Sequence, residues 1–204
     1  MAVPTRLDDE RMARLIAFGR ALTSELDLDA VLDLVLAAAR DLTNARYAAL
    51  GVLDEDRRRL CQFLTSGVDD ETRRAIGDLP SGHGILGLLI DEPRPLRLED
   101  ASAHPRSYGF PPGHPEMRTF LGVPIIIRGK AWGNLYLSER EDGAPFTDVD
   151  EETAIVLSEW AGVAVQNARL YEEAVARRDE LQRAVRGLEA TAAIARAVGG
   201  ETDL

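Results

Sequence analysis

Phe120-Leu-Gly-Val-Pro-Ile-Ile-Ile-Arg-Gly-Lys-Ala-Trp-Gly-Asn-Leu-Tyr-Leu-Ser138 carries the strongest structural signal in the chain. It reads as two strands, Phe120 to Arg128 and Ala131 to Ser138, joined as a hairpin at Arg128-Gly129-Lys130. In the first strand Phe120, Gly122, Pro124 and Ile126 alternate with Leu121, Val123, Ile125 and Ile127. In the second, Trp132, Asn134 and Tyr136 alternate with Gly133, Leu135 and Leu137. An antiparallel sheet with one face in water alternates apolar with polar side chains, and this pair does not. It is therefore expected to be covered on both sides, by helices on one face and by a loop-covered pocket on the other.

Downstream, Thr147 with Asp150 three residues later, after Pro145 and Phe146, reads as a helix N-terminal cap. Val149, Val156, Val163 and Leu170 then recur every seven residues, and Trp160, Asn167, Ala174, Leu181 and Leu188 form a second such series. Arg177 weakens the first series. As one helix, Thr147 to Ala190 spans about 66 Å at roughly 1.5 Å per residue. Beyond Glu172 little of a domain is left to pack against, so a partner helix is expected, and with it a homodimer through the terminal helices.

Upstream, two amphipathic helices open the chain, one with Met12, Leu15, Ile16, Gly19 and Leu22 on a stripe, the next with Leu28, Val31, Val35, Ala38 and Leu42. Asp27 or Asp29 caps the second. Tyr47 to Leu53 and Leu60 to Thr65 read as strands with Asp54 to Arg59 as their turn, and Asp69 to Gly77 reads as a short helix. Leu79 to Pro115 is irregular and rich in Pro and Gly, yet Ile85, Leu86, Leu88, Leu89, Ile90 and Phe110 predict at least one short helix within it. Long loops inside compact domains usually carry function.

The 204 residues are 45% hydrophobic and 29% charged, a globular balance. The net charge of −11 opposes binding to phosphate backbones and anionic lipid, so neither a nucleic acid nor a membrane partner is expected. The single cysteine, Cys61, excludes an internal disulfide and a cysteine-based zinc site, and its place in a strand suggests the core. Met1 to Glu10 has no apolar leader segment, and the longest apolar stretches are too short to span a bilayer. A cytoplasmic protein is expected.

The end of the chain echoes its beginning. Residues 18–28 align without gaps to residues 194–204 with five of eleven positions identical. Chance similarity between two helix junctions is one explanation; a repeat at domain period is the richer one. It implies three parts: an N-terminal signalling helix over residues 1–26, a sensory domain over 27–172, and a helical linker over 173–204 leading to a second similar domain.

Leu26-Asp-Leu-Asp-Ala-Val-Leu32, Arg118-Thr-Phe-Leu-Gly-Val-Pro-Ile125, Trp132-Gly-Asn-Leu-Tyr-Leu137 and Phe146-Thr-Asp-Val-Asp-Glu151 together resemble a GAF domain. The resemblance implies an α+β fold of GAF/PAS type: a central antiparallel sheet, helices on one face, a small-molecule pocket on the other and a long C-terminal helix. Leu79 to Ile90, Pro93 to Leu98, Ser102 to Pro105 and Gly109 to Leu121 resemble more narrowly the first GAF domain of DevS/DosT-type gas- and redox-sensing histidine kinases. That resemblance implies a haem b cofactor with His114 as its proximal metal ligand and Tyr136 on the distal side, and kinase domains downstream in the same chain. Without it, His114 is a loop histidine and Tyr136 a strand residue, since fold alone implies no cofactor. His83 and His104 read as structural or solvent-facing, with His104 also able to line the pocket.

Cyclic-nucleotide GAF domains carry an Asn-Lys pair ahead of the Phe and Asp-Glu that match Phe146 and Asp150-Glu151. Here that position reads Ser138-Glu139-Arg140, so Phe146, Asp150 and Glu151 are expected to pack and charge the start of the helix. Bilin attachment needs a cysteine in the loop region, and Cys61 lies far upstream. No Ser-His-Asp set or metal-spaced histidine cluster declares itself, so an enzyme is not expected. The expectation is a sensory module of a signalling protein; the alternative is a ligand-free module for dimerisation and signal transmission.

Overall fold

Arg128 and Gly129 both adopt positive φ, 51° and 74°, between strands that end at Ile127 and begin at Lys130. Two residues with φ above zero make the type I′ turn, whose twist matches the strands it joins. The computed structural model describes residues 9–69, 84–109 and 114–199. Its helices are α1 (Asp9–Ser24), α2 (Leu28–Thr43), α3 (Ile85–Asp91) and α4 (Asp148–Gly199). Its strands are β1 (Ala45–Leu53), β2 (Leu60–Ser66), β3 (Leu96–Leu98), β4 (Phe120–Ile127) and β5 (Lys130–Arg140). They form one sheet in the order β2-β1-β5-β4-β3 with every pair antiparallel. The expected helix over Asp69–Gly77 falls almost entirely outside the described residues, as do His83 and Phe110.

Helices α1, α2 and α4 cover one face. Leu50, Leu121, Val123, Ile125, Leu135 and Leu137 point into them and are fully buried or nearly so. Truncating a leucine at such a position to alanine costs about 2–5 kcal/mol through lost burial and the cavity left behind. Asp27 caps α2 by accepting from the Ala30 amide at 2.9 Å, and Asn44 ends it in the left-handed region. Gly162 of α4 sits so close to the sheet that an added Cβ would lie 2.7 Å from the Ile126 carbonyl oxygen.

Two expectations are corrected. The register slips between Ile125 and Ile126, which pair with Gly133 and Ala131 and leave Trp132 as the extra residue of a bulge. Trp132 thereby leaves the face of Asn134 and Tyr136 and packs against the helical layer, with the Arg169 guanidinium 5.6 Å above its ring. Cys61 is exposed rather than in the core, because β2 is an edge strand whose side chains are only partly covered after Leu60.

α4 runs for 52 residues, about 78 Å at 1.5 Å per residue. Its domain-facing side uses small residues, Ala154, Ala161, Ala164 and Ala168, with Leu157 and Val165. Among residues 148–193 of this helix Ala168 is the last that is buried; from Arg169 to Ala193 only Val175 is partly covered. The remainder is a helical arm standing off the domain.

Candidate functional site

The outer face of the sheet is roofed by α3 and the segment that follows the edge strand β3. Leu89 of α3, Ala101, Phe120 and Tyr136 form its buried centre, with Phe63 and Leu96 partly buried around them. Tyr136 lies between the rings of Phe63 and Phe120, each at 6.1 Å between centroids. Gly122 stands opposite Tyr136, and an added Cβ there would meet Leu89 at 2.8 Å, so the missing side chain is what lets α3 settle onto the sheet.

Two polar side chains are sealed into this face. Asn134, fully buried between Gly51 and Pro124 in register, has no hydrogen-bond partner for its amide nitrogen or its oxygen. The Tyr136 hydroxyl is also unpartnered. Burial pushes the phenol's pKa well up, and the neighbouring Asn134 side chain offsets only part of this, without a bond of normal geometry joining the two. Tyr136 stays protonated, able to donate one hydrogen bond. Buried unpaired groups of this kind each cost about 1–3 kcal/mol, which makes them evidence about the face rather than neutral packing.

His114 and Tyr136 are held by different elements. His114 is partly buried on the segment leading into β4, and its Nδ1 lies 2.8 Å from the Pro115 carbonyl oxygen. A carbonyl only accepts, so Nδ1 carries a proton, and in the neutral ring Nε2 is the nitrogen a metal would take. Glu139 anchors this segment by accepting from the Arg118 and Thr119 amides, and the Arg118 carbonyl accepts from Ala101. His104 has the opposite tautomer, its Nδ1 accepting from the Arg106 amide at 3.2 Å. Among the described residues no three His, Cys, Asp or Glu side chains gather into a metal-binding group.

A haem meets this site unevenly. His114 is the residue that would hold its iron, but Leu89, Phe63 and Phe120 fill the space at Tyr136, and a macrocycle would fit there only with α3 displaced.

The site also reaches the long helix, through Arg97, Arg140 and Arg11, to which the sequence reading gave no role. Arg97 of β3 donates to the Phe146 carbonyl at 2.9 Å and pairs with Asp148 and Glu151 in the first turn of α4. Asp150, fully buried, accepts from Thr147 N and Oγ1 at 2.8 Å each, from Arg140 at 2.7 Å and from Arg11 of α1 at 3.2 Å. The Thr147–Asp150 cap and the burial of Phe146 are as expected. Arg140 supplies a cation opposite Asp150 even though the Asn-Lys pair is absent. The start of α4 is thus held by side chains from α1, β3 and β5.

A family model described as "GAF domain" matches residues 25–166. The chain belongs to the GAF family. A probable 3',5'-cyclic phosphodiesterase of Caenorhabditis elegans is 25% identical over 159 residues, covering 72% of this chain and 22% of that protein. The chain therefore spans about a fifth of that relative. The GAF domain of a phosphoenolpyruvate-protein phosphotransferase from Coxiella burnetii superposes with a TM-score of 0.67 at 24% identity, covering 80% of this chain and 96% of that one. Free methionine-R-sulfoxide reductase from Neisseria meningitidis, solved with its substrate, gives 0.65 at 18% identity, covering 83% and 98%. One fold thus serves in a phosphotransferase and in a reductase, so fold alone does not settle activity. No helix among the described residues is long and apolar enough to cross a membrane.

Proposed function

We propose that the chain is the sensory module of a cytoplasmic signal-transduction protein, binding a small ligand on the outer face of its sheet and signalling through a helical dimer to histidine-kinase domains further along the chain. The observation that carries this is the sealed, unpartnered pair Asn134 and Tyr136 beneath α3, on a sheet whose edge strand β3 is tied by Arg97 to the start of α4. A ligand that shifts β3 acts on that tie, provided it binds the two arrangements differently. The exposed Leu181, Val185 and Leu188 support a second copy of the arm as partner. Catalysis by these residues is not part of the reading.

Haem is the second reading, favoured by the hydrogen bond between His114 Nδ1 and the Pro115 carbonyl, which would orient the ring with Nε2 toward a metal. His114 would hold the iron and Tyr136 would offer a hydrogen bond to a bound gas; the haem would supply the gas-binding or redox centre. The absorption spectrum of protein expressed with a haem precursor, beside His114→Ala, tests it. A Soret band lost in the variant supports haem. No band after adding haem to the bare protein removes that reading and leaves the small-ligand one, or a ligand-free dimerisation module.

A further inference from the structure

The identity of the ligand is written in the chemistry of the two sealed groups. Asn134 offers two N–H donors and an acceptor oxygen, and Tyr136 a hydroxyl that both donates and accepts. Neither carries charge, and among the described residues no charged side chain is buried with them on this face. An ionic group seated there would be desolvated without a counter-ion, which is strongly unfavourable. A neutral group with a donor and an acceptor side by side would satisfy Asn134 on both its atoms. Leu89, fully buried, rests over Gly122 opposite Tyr136.

We infer that Asn134 and Tyr136 bind a small neutral molecule through an amide-type edge, as in a lactam, a ureide or a nucleobase, admitted when Leu89 lifts from Gly122. This rests on the reading of the outer face as a ligand site and narrows it to one chemical class. A ligand of this class would supply the hydrogen bonds that Asn134 and Tyr136 lack in the closed face.

The experiment compares the whole chain with Asn134→Leu and Leu89→Ala, reading thermal midpoint and saturation-transfer NMR with uracil, 2-pyrrolidinone and acetate at millimolar concentration. Expected are a midpoint several degrees higher for Asn134→Leu without ligand, binding of both neutral probes to the native chain, and no binding of acetate. Binding should weaken on the order of tenfold or more in Asn134→Leu and tighten in Leu89→Ala. Should Leu89→Ala fail to fold, the Asn134→Leu comparison decides alone. Equal binding of uracil to Asn134→Leu, or acetate binding as well as the neutral probes, overturns the inference while the outer face remains a ligand site. No probe binding to the native chain overturns it whatever the midpoints do. A lower midpoint for Asn134→Leu in that case means that Asn134 holds a structural water, and the ligand reading of this face fails as well.

Discussion

Asp150 has no exposed surface and yet is fully engaged, with two guanidinium groups and both polar atoms of the Thr147 cap upon it. Removing one member of such a group leaves the other charges buried without compensation, which typically costs 3–5 kcal/mol. Asp150→Asn should lower stability by about that amount in urea unfolding, and Arg11→Ala by less, because Arg140 and Thr147 remain. Beside it, the Arg140 side chain holds the Asp142 carboxyl below the usual carboxylate range. A depressed folded pKa contributes stability that is complete above the unfolded value of about 3.9 and is lost as pH falls through the folded value. Asp142→Asn should therefore flatten the loss of stability below about pH 4, read by thermal midpoint against pH. These partners were illegible in sequence: Arg11 and Asp150 are 139 residues apart, and no periodicity links a strand end to a distant helix cap. Thr147 and Asp150 were legible because a cap is a local object.

At the scale of elements, the β4–β5 hairpin and its turn could be read directly, since period and turn chemistry agree there. α1, α2, β1, β2 and the start of α4 were legible for the same reason. The bulge at Trp132 was not, because one inserted residue inverts the face assignment of everything beyond it and leaves no mark in an apolar run. Nor was β3, whose three residues are too short for alternation to register, although it carries Arg97. Gly162 and Gly187 of α4 form a matched test of close packing. Gly162→Ala drives a Cβ against the Ile126 carbonyl and should cost about 1–3 kcal/mol. Gly187→Ala meets nothing within 4 Å and should stabilise by about 0.5–1 kcal/mol through helix propensity. Chemical unfolding of the two variants checks both signs.

Over the whole molecule, one seven-residue repeat serves two purposes. Val149 is buried in the domain, whereas Val163 and Leu170 on the same series are exposed, and Leu181 and Leu188 continue the second series along an arm with no domain beneath it. The length of α4 was legible from those repeats; where it leaves the domain was not, because the second series runs on past Ala168 through Ala174, Leu181 and Leu188. Sedimentation should show a dimer that a Leu181→Glu, Leu188→Glu double variant converts to a monomer, since charge at seam positions opposes helix pairing. Of the outer face, its loop-borne cover and the placing of Tyr136 and Asn134 on one strand face were legible. The isolation of Asn134 was not, because an unpaired buried group is a property of its surroundings. The most direct test is a native mass spectrum of the chain after incubation with a small-molecule cell extract. The account predicts a dimer carrying a non-covalent small molecule that Asn134→Leu does not retain. A bare monomer at high concentration, with or without the extract, would contradict it.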